Sequence, residues 1–388
     1  MGLGPVMRAA RRADPGDVPD IAVAAAQIFG GTDVVVYLVD FEQQVLEPLS
    51  DGSSHEELPH SEPVAASMAG RAFVQRRPVT ADRSDGIRVW VPMIEGSDVT
   101  GVIGVTVPVA DEEALAACED LGLLIGYIVA TEARVTDTYN LRRRRRAMSL
   151  AASMQWDLLP PLAVDTRRIC AAGMIEPAYE VGGDCFDYAV NGPSFDLAII
   201  DSIGHGVRSA VIAALAIGSY RHDRREGRTL EHIHDNLDAI INDQFGGESF
   251  VTGQVARFEL DTGTMSLLNA GHPPPMLIRS GRVIGDVECP PTLPWGLGPL
   301  AAEVATISLE PGDILLFYTD GVIEARGAHG ADFGAARLAD LANQHASDQL
   351  PLTTIVRLLI EAVLEHHNRR LSDDATVLMV QWTGPQPT

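Results

Sequence analysis

"LLFYTDGVIEAR", residues 315–326, runs four apolar or aromatic residues straight into Thr319, Asp320 and Gly321. A short continuous apolar run closed by a turn residue reads as a core strand, and an unpaired acid is among the residues least often found there. Something positive should meet Asp320. The nearest basic residue in sequence is Arg326. The balance therefore comes either from a distant side chain or from a bound cation, and a cation would draw other acids to the same point.

Three further segments repeat the design of an apolar strand meeting an aspartate flanked by glycine or another acid. They are "EVGGDCFDY" with Asp184, "LAIIDSIGHGV" with Asp201, and "LSDDATVLMV" with Asp373 and Asp374. A single Asp-Gly would sooner cap a turn or a helix. Four such sites in half a chain point instead to a hard divalent cation, which takes several oxygen ligands delivered from different strand ends. Glycine lets the backbone turn sharply and lets a carbonyl come close. With no histidine and cysteine cluster nearby, magnesium or manganese is favoured over zinc.

The chain of 388 residues is 46% hydrophobic, enough for two or three domains with full cores. A net charge of -24 gives no general attraction for nucleic acid or anionic lipid. Cys118, Cys170, Cys185 and Cys289 are scattered without C-x-x-C spacing, which fits a reducing, cytoplasmic compartment. No apolar h-region follows Arg8, Arg11 and Arg12, so no signal peptide is read. "LGLLIGYIVAT" at 121–131 is shorter than the roughly 20 apolar residues of a membrane span, and no membrane association is expected.

Residues 18–135 alternate helical and strand patterns. A helix from Ile21 to Phe29 precedes "DVVVYLVD", a helix from Pro63 to Gln75 precedes "IRVWVPMI" and "VTGVIGVTVP", and a third helix follows from Asp111 to about Arg134. This order fits a small α+β domain on an antiparallel sheet. "VWVPMIEGSDVTGVIGVTVP" is similar to the last hairpin of a GAF sensor domain, with Gly96 and Gly101 in the matching positions. The resemblance implies a pocket for a small-molecule ligand or a dimerisation surface.

Residues 136–159 read as one continuing helix stopped by Pro160-Pro161, within a helical linker over 136–164. Leu141, Met148, Ala151, Ala152, Met154 and Leu158 line one face, which suits a paired helix in a homodimer. The arginine run 142–146 is read as a solvated face. Beyond it, over 165–383, strands alternate with helices at Val207 to Arg224 and Leu230 to Phe245. "VTGQVARFEL" meets "MSLLNAG" at the Asp261-Thr262-Gly263 turn, and a helical stretch precedes "ATVLMVQW".

Residues 150–383 resemble the SpoIIE-type branch of the metal-dependent type 2C (PPM) protein phosphatases. The motifs that carry this, in order, are "MQWDLLPP" with "EPAYEVGGDCFDY", "DSIGHGVRSAVIAAL", "LLNAGHPPPMLI", "LLFYTDGVIEAR" and "DDATVLMV". The resemblance implies an α-β-β-α sandwich with two manganese or magnesium ions at one end. Carried over by residue, Asp201 bridges both ions and the Ser202 carbonyl binds one. Asp184 serves the second-metal side, Asp320 and Asp373 hold the first ion, and Asp374 joins the metal set beside Asp373. Two such ions activate a water and neutralise phosphate charge, with no covalent enzyme intermediate.

His205 stands four residues after Asp201, where many type 2C enzymes place a histidine two after, and it is read as a turn residue. His272 is read as shaping its hairpin, and Cys185 as a small core residue. The function implied is a phosphoserine/phosphothreonine protein phosphatase regulated by the N-terminal sensor. Its implied substrate is a phosphorylated STAS-domain anti-sigma-factor antagonist in a partner-switching pathway. The competing reading is a non-catalytic adaptor that kept the fold and binds partners only.

Overall fold

The computed structural model describes residues 13–49, 59–177, 179–180, 182–298, 300–325, 332–348, 350–369, 371 and 373–385, with 6, 8 and 10. Two compact units, Met1–Ala147 and Met148–Thr388, make up the chain.

In the first unit the strands are β1 (Thr32–Val39), β2 (Val45–Pro48), β3 (Glu62–Pro63), β4 (Val79–Arg83), β5 (Gly86–Glu95) and β6 (Asp98–Val107). They form one antiparallel sheet in the order β3-β2-β1-β6-β5-β4. Alternation sorts its two faces. Val36 and Leu38 of β1 pack with Val89, Val91, Ile103 and Val105 under α1 (Val18–Gln27) and α3 (Glu112–Glu132). Tyr37 and Val39 face the other way, onto Ala69, Ala72 and Phe73 of α2 (Met68–Gln75).

Two boundaries differ from expectation. α2 begins at Met68 rather than Pro63, because Ser67 caps it by accepting from the Gly70 N–H while Pro63 is spent on β3. α3 is 21 residues long and, by length and composition alone, passes for a membrane span. Its Cys118, Leu121, Ile125 and Val129 are instead packed into the core.

The single helix expected over 136–159 is two helices, α4 (Thr138–Arg143) and α5 (Leu150–Leu158), which belong to different units. Arginines end α4. Arg143 donates to the Val39 carbonyl at 2.8 Å and lies over the Phe41 ring, Arg145 stands 3.8 Å from Glu47, and Arg146 pairs with Glu42 at 2.9 Å. The run is therefore tied to the β1–β2 region rather than simply solvated. Ser149 then restarts the helix by capping the Ala152 N–H. The long paired helix on which the dimer expectation rested is absent.

The second unit stacks four layers. One sheet has the order β15-β12-β11-β10-β9, with β16 on β12; the other has the order β14-β13-β17-β18-β8-β7. Its strands are β7 (Ala163–Asp165), β8 (Ile169–Glu176), β9 (Asp184–Asn191), β10 (Ser194–Ser202), β11 (Val251–Glu259) and β12 (Thr264–Ala270). The rest are β13 (Met276–Arg279), β14 (Arg282–Asp286), β15 (Pro291–Thr292), β16 (Ala305–Ser308), β17 (Ile314–Tyr318) and β18 (Ala375–Trp382).

Phe186, Phe195, Leu197, Ile199, Phe258, Phe317, Leu378 and Val380 fill the space between the sheets. Each such side chain contributes about 1.5–3 kcal/mol by burial. The alternate residues of the same strands face outward. Ala198 and Ile200 meet α6 (Val207–Arg225) and α7 (Leu230–Phe245); Leu316 and Val377 meet α9 (Ala335–Ser347) and α10 (Leu352–His366). Between β17 and β18 lies the short α8 (Asp320–Ile323). This is the α-β-β-α sandwich, with period-2 strands dictating which residues meet inside.

Candidate active site

The inward parity of the strands carries on past their apolar runs. Asp184 precedes Phe186 by two, and Asp201 follows Ile199 by two. The two aspartates are direct partners across β9 and β10, so they share the inter-sheet face at its end. From the opposing sheet, Thr319 follows Phe317 by two, and Thr376 and Asp374 precede Leu378 by two and four. One end of the sandwich therefore collects acids and hydroxyls.

Their hydrogen bonds cross between the sheets. Asp184 is buried, and its Oδ2 accepts from Thr319 Oγ1 at 2.7 Å and from Thr376 Oγ1 at 2.6 Å. Asp374 Oδ2 accepts from the Gly183 N–H at 2.7 Å and the Asp184 N–H at 3.2 Å. Gln155 of α5 donates to the Asp184 carbonyl at 2.7 Å and reaches Asp374 at 3.5 Å. Asp374 Oδ1 is buried with no hydrogen-bond partner. Asp320 and Asp373 line a hollow of about 190 Å³ together with Glu324 and His367.

Electrostatics set this end apart. Buried Asp187, Asp196 and Asp313 elsewhere in the unit each face arginine, at 2.7 Å from Arg221, 2.6 Å from Arg257 and 2.6 Å from Arg279. Among the described residues no ion pair reaches Asp184, Asp201, Asp320, Asp373 or Asp374; Arg326 lies outside the described residues. Burial, then the neighbouring Asp320, Asp373 and Asp374, push the Asp201 carboxyl up to about 8. Burial and then the charges of Asp201 and Asp374 raise Asp184, against the pull of the two threonine hydroxyls. Burial lifts Asp374 to about 6 although the Gly183 and Asp184 N–H groups oppose it. Asp373 is also raised, chiefly by burial.

These acids convene on one end without closing on a point. Among the described residues no three acidic, imidazole or thiol groups stand together at the spacing of ligands round a single ion. The donor set nevertheless fits hard cations: it is all oxygen, paired with no arginine among the described residues, and includes an orphaned buried carboxylate oxygen.

Residues 192–383 match the family described as Stage II sporulation protein E (SpoIIE), which spans the larger part of the unit that holds the acids. The C-terminal unit is a SpoIIE-type protein serine/threonine phosphatase. The chain is 21% identical to the phosphoserine phosphatase RsbU of Bacillus subtilis, over 67% of this chain and 77% of RsbU. It is 24% identical to the protein IcfG of Synechocystis, covering 61% of this chain and 41% of IcfG. The SiaA-PP2C domain of Pseudomonas aeruginosa matches with a TM-score of 0.52 at 20% identity, over 60% of this chain and 94% of that one, and shares its fold.

Within this SpoIIE-type unit, the other sequence-derived candidates stand as follows. Ser202 is buried, and its carbonyl already accepts from Ser209 Oγ at 3.1 Å, leaving one lone pair. His205 is exposed in its turn, and its charge is felt by Asp373. Cys185 is buried, and burial pushes its thiol up, as suits a core residue. His272 is clamped in its turn by Asn269, which accepts from the His272 N–H at 2.8 Å and donates to its carbonyl at 2.9 Å. The hydroxyls of Thr319 and Thr376, and the Gln155 amide, were not picked out from sequence. Strand parity is the signal that finds the threonines: each is a polar residue on the inward register just beyond an apolar run. Nothing local marks Gln155, which arrives from a helix 29 residues before Asp184.

Proposed function

We propose that the C-terminal unit hydrolyses phosphoserine or phosphothreonine on a protein by a two-ion, manganese- or magnesium-dependent route. The observation that carries this reading is the gathering of five carboxylates at the sandwich end, Asp184 and Asp374 buried, with no arginine paired to any of them among the described residues. Asp201 would contact both ions, the free lone pair of the Ser202 carbonyl and Asp184 would serve one side, and Asp320 and Asp373 the other. Bound divalent ions would lower the pKa of water and offset charge on the phosphate. Thr319 and Thr376 aim Asp184 from the opposing sheet, and the Gly183 N–H anchors Asp374 through Oδ2, leaving its buried Oδ1 without a protein partner. Preorganising these oxygens is the chain's own contribution, since charge stabilisation is worth most where water is excluded.

The substrate in this reading is a phosphorylated STAS-domain anti-sigma-factor antagonist, supported by the likeness to RsbU, itself named a phosphoserine phosphatase. The antiparallel sheet of the first unit, helices on both faces, supports a GAF-like regulatory role. Phosphate release from para-nitrophenyl phosphate and from phosphorylated STAS-domain candidates, with manganese or with chelator, tests it. Asp201→Asn and Asp320→Asn should each abolish metal-dependent turnover while the melting profile stays cooperative. Near-normal turnover by either variant removes the site assignment. No turnover by a folded, manganese-loaded wild type favours the adaptor.

A further inference from the structure

The row of residues at the sheet end does not stop at Asp184 and Asp201. On the far side of Asp201 its direct cross-strand partner is Thr252 of β11, and parity with Ala256 and Phe258 turns Thr252 toward the inter-sheet space. Thr252 Oγ1 lies 3.0 Å from His272 Nδ1. The imidazole is buried and its seat is fixed from three sides. Asn269 holds both backbone groups of His272, and Gln254 Nε2 donates to the Pro273 carbonyl at 2.9 Å. Gln254 and Asn269 are themselves cross-strand partners, so the turn is braced against its own sheet.

The other ring nitrogen, Nε2, is buried and meets no partner within hydrogen-bond geometry, yet the Tyr318 carbonyl acts on the ring. Tyr318 is the last residue of β17, and the next two are Thr319, which holds Asp184, and Asp320. Burial pushes the imidazole down to about 3, so it is neutral at pH 7 and carries a single N–H. If the Thr252 hydroxyl donates to Nδ1, that N–H lies at Nε2.

We propose that His272 is a positioning residue of the phosphatase site: from its clamped turn it holds Thr252, the cross-strand partner of Asp201, and it stands beside the Tyr318 carbonyl at the root of Thr319 and Asp320. It sets the spacing between the carboxylates of one sheet and those of the other. A residue that only shapes the hairpin would need the Asn269 clamp but neither ring nitrogen. This inference rests on the two-ion reading above.

The test is manganese affinity by isothermal titration, with kcat and KM on para-nitrophenyl phosphate, for Thr252→Val, Thr252→Ser, His272→Asn and His272→Gln in the full chain. Loss of an outer partner of a ligand set commonly costs 10- to 100-fold in affinity or activity. Thr252→Val and His272→Asn should therefore lose roughly 10-fold or more in manganese affinity and in kcat, with KM changed less than about twofold. Thr252→Ser should restore both. His272→Gln, which keeps a donor near the Nε2 position, should exceed His272→Asn. If the His272 variants fail to fold, the Thr252 pair decides the matter alone. Wild-type affinity and kcat in folded Thr252→Val overturn the proposal while leaving the two-ion reading intact. Absence of manganese binding by the wild type overturns both.

Discussion

Gly321→Ala is the sharpest single perturbation of the site that touches no carboxylate. Gly321 is the second residue of α8 and is buried, and its backbone is in a region open to any residue. Helix propensity alone would favour alanine by about 1 kcal/mol. An alanine Cβ, however, would stand 1.9 Å from the Asp374 carbonyl oxygen, where ordinary contact begins at 3.4 Å. That oxygen is main chain at the entry to β18 and cannot swing aside as a side chain could. The two segments must part by about 1.5 Å, taking Asp320 on one side and Asp373 and Asp374 on the other with them. Overpacking of this kind costs about 1–3 kcal/mol, so the net loss of stability is small and the unit should remain folded.

The site should suffer far more than the fold, because ligand distances are held to about 0.2 Å and a 1 Å misplacement costs about 100-fold in rate. We expect kcat/KM to fall about 100-fold and manganese affinity to fall with it. Circular dichroism melts, titration calorimetry with manganese and para-nitrophenyl phosphate turnover would measure the three quantities. A folded Gly321→Ala protein whose kcat/KM stays within about threefold of wild type, under about 0.7 kcal/mol, would refute the claim that these segments together position the acids.

Three further outcomes are expected. In chelator, stability should fall as pH rises from about 4 toward 8. The folded state keeps protons on Asp184, Asp374 and Asp201 that the unfolded chain releases near 3.8, and the slope is at most about 1.4 kcal/mol per pH unit for each proton. Asp201→Asn should flatten that slope and manganese should offset it; melting temperatures indifferent to pH would contradict the raised carboxyls. Thr319→Val should cost about 1.5–3 kcal/mol in denaturant titrations by stripping a hydroxyl from Asp184, and Thr319→Ser should not; equal losses in both would deny the hydroxyl its role. Finally, if the first unit regulates the second, residues 148–388 alone should lose the response of turnover to effectors that the full chain shows. Identical turnover under every effector and redox condition tried would end the sensor reading.

Much of the fold follows from local pattern. Continuous apolar runs at residues 315–318 and 375–382 identify buried strands, and α7 spans Leu230–Phe245 as its periodicity requires. Long-range partners defeat such reasoning. The helix written into residues 136–159 breaks because Arg143, Arg145 and Arg146 find Val39, Glu47 and Glu42, about a hundred residues back in the chain.

The chain's order of residues was by itself enough to show that Asp184, Asp201, Asp320, Asp373 and Asp374 stand at strand ends. Unbalanced acids beside apolar runs are costly wherever they occur, and that cost is legible without coordinates. Only the tertiary structure decided how they are held: Asp184 by two threonines of the opposite sheet, Asp374 by the Gly183 N–H, and Thr252 with His272 flanking Asp201. Hydrogen bonds depend on direction and on ångström distances between residues far apart in sequence, and those are set only when the two sheets pack.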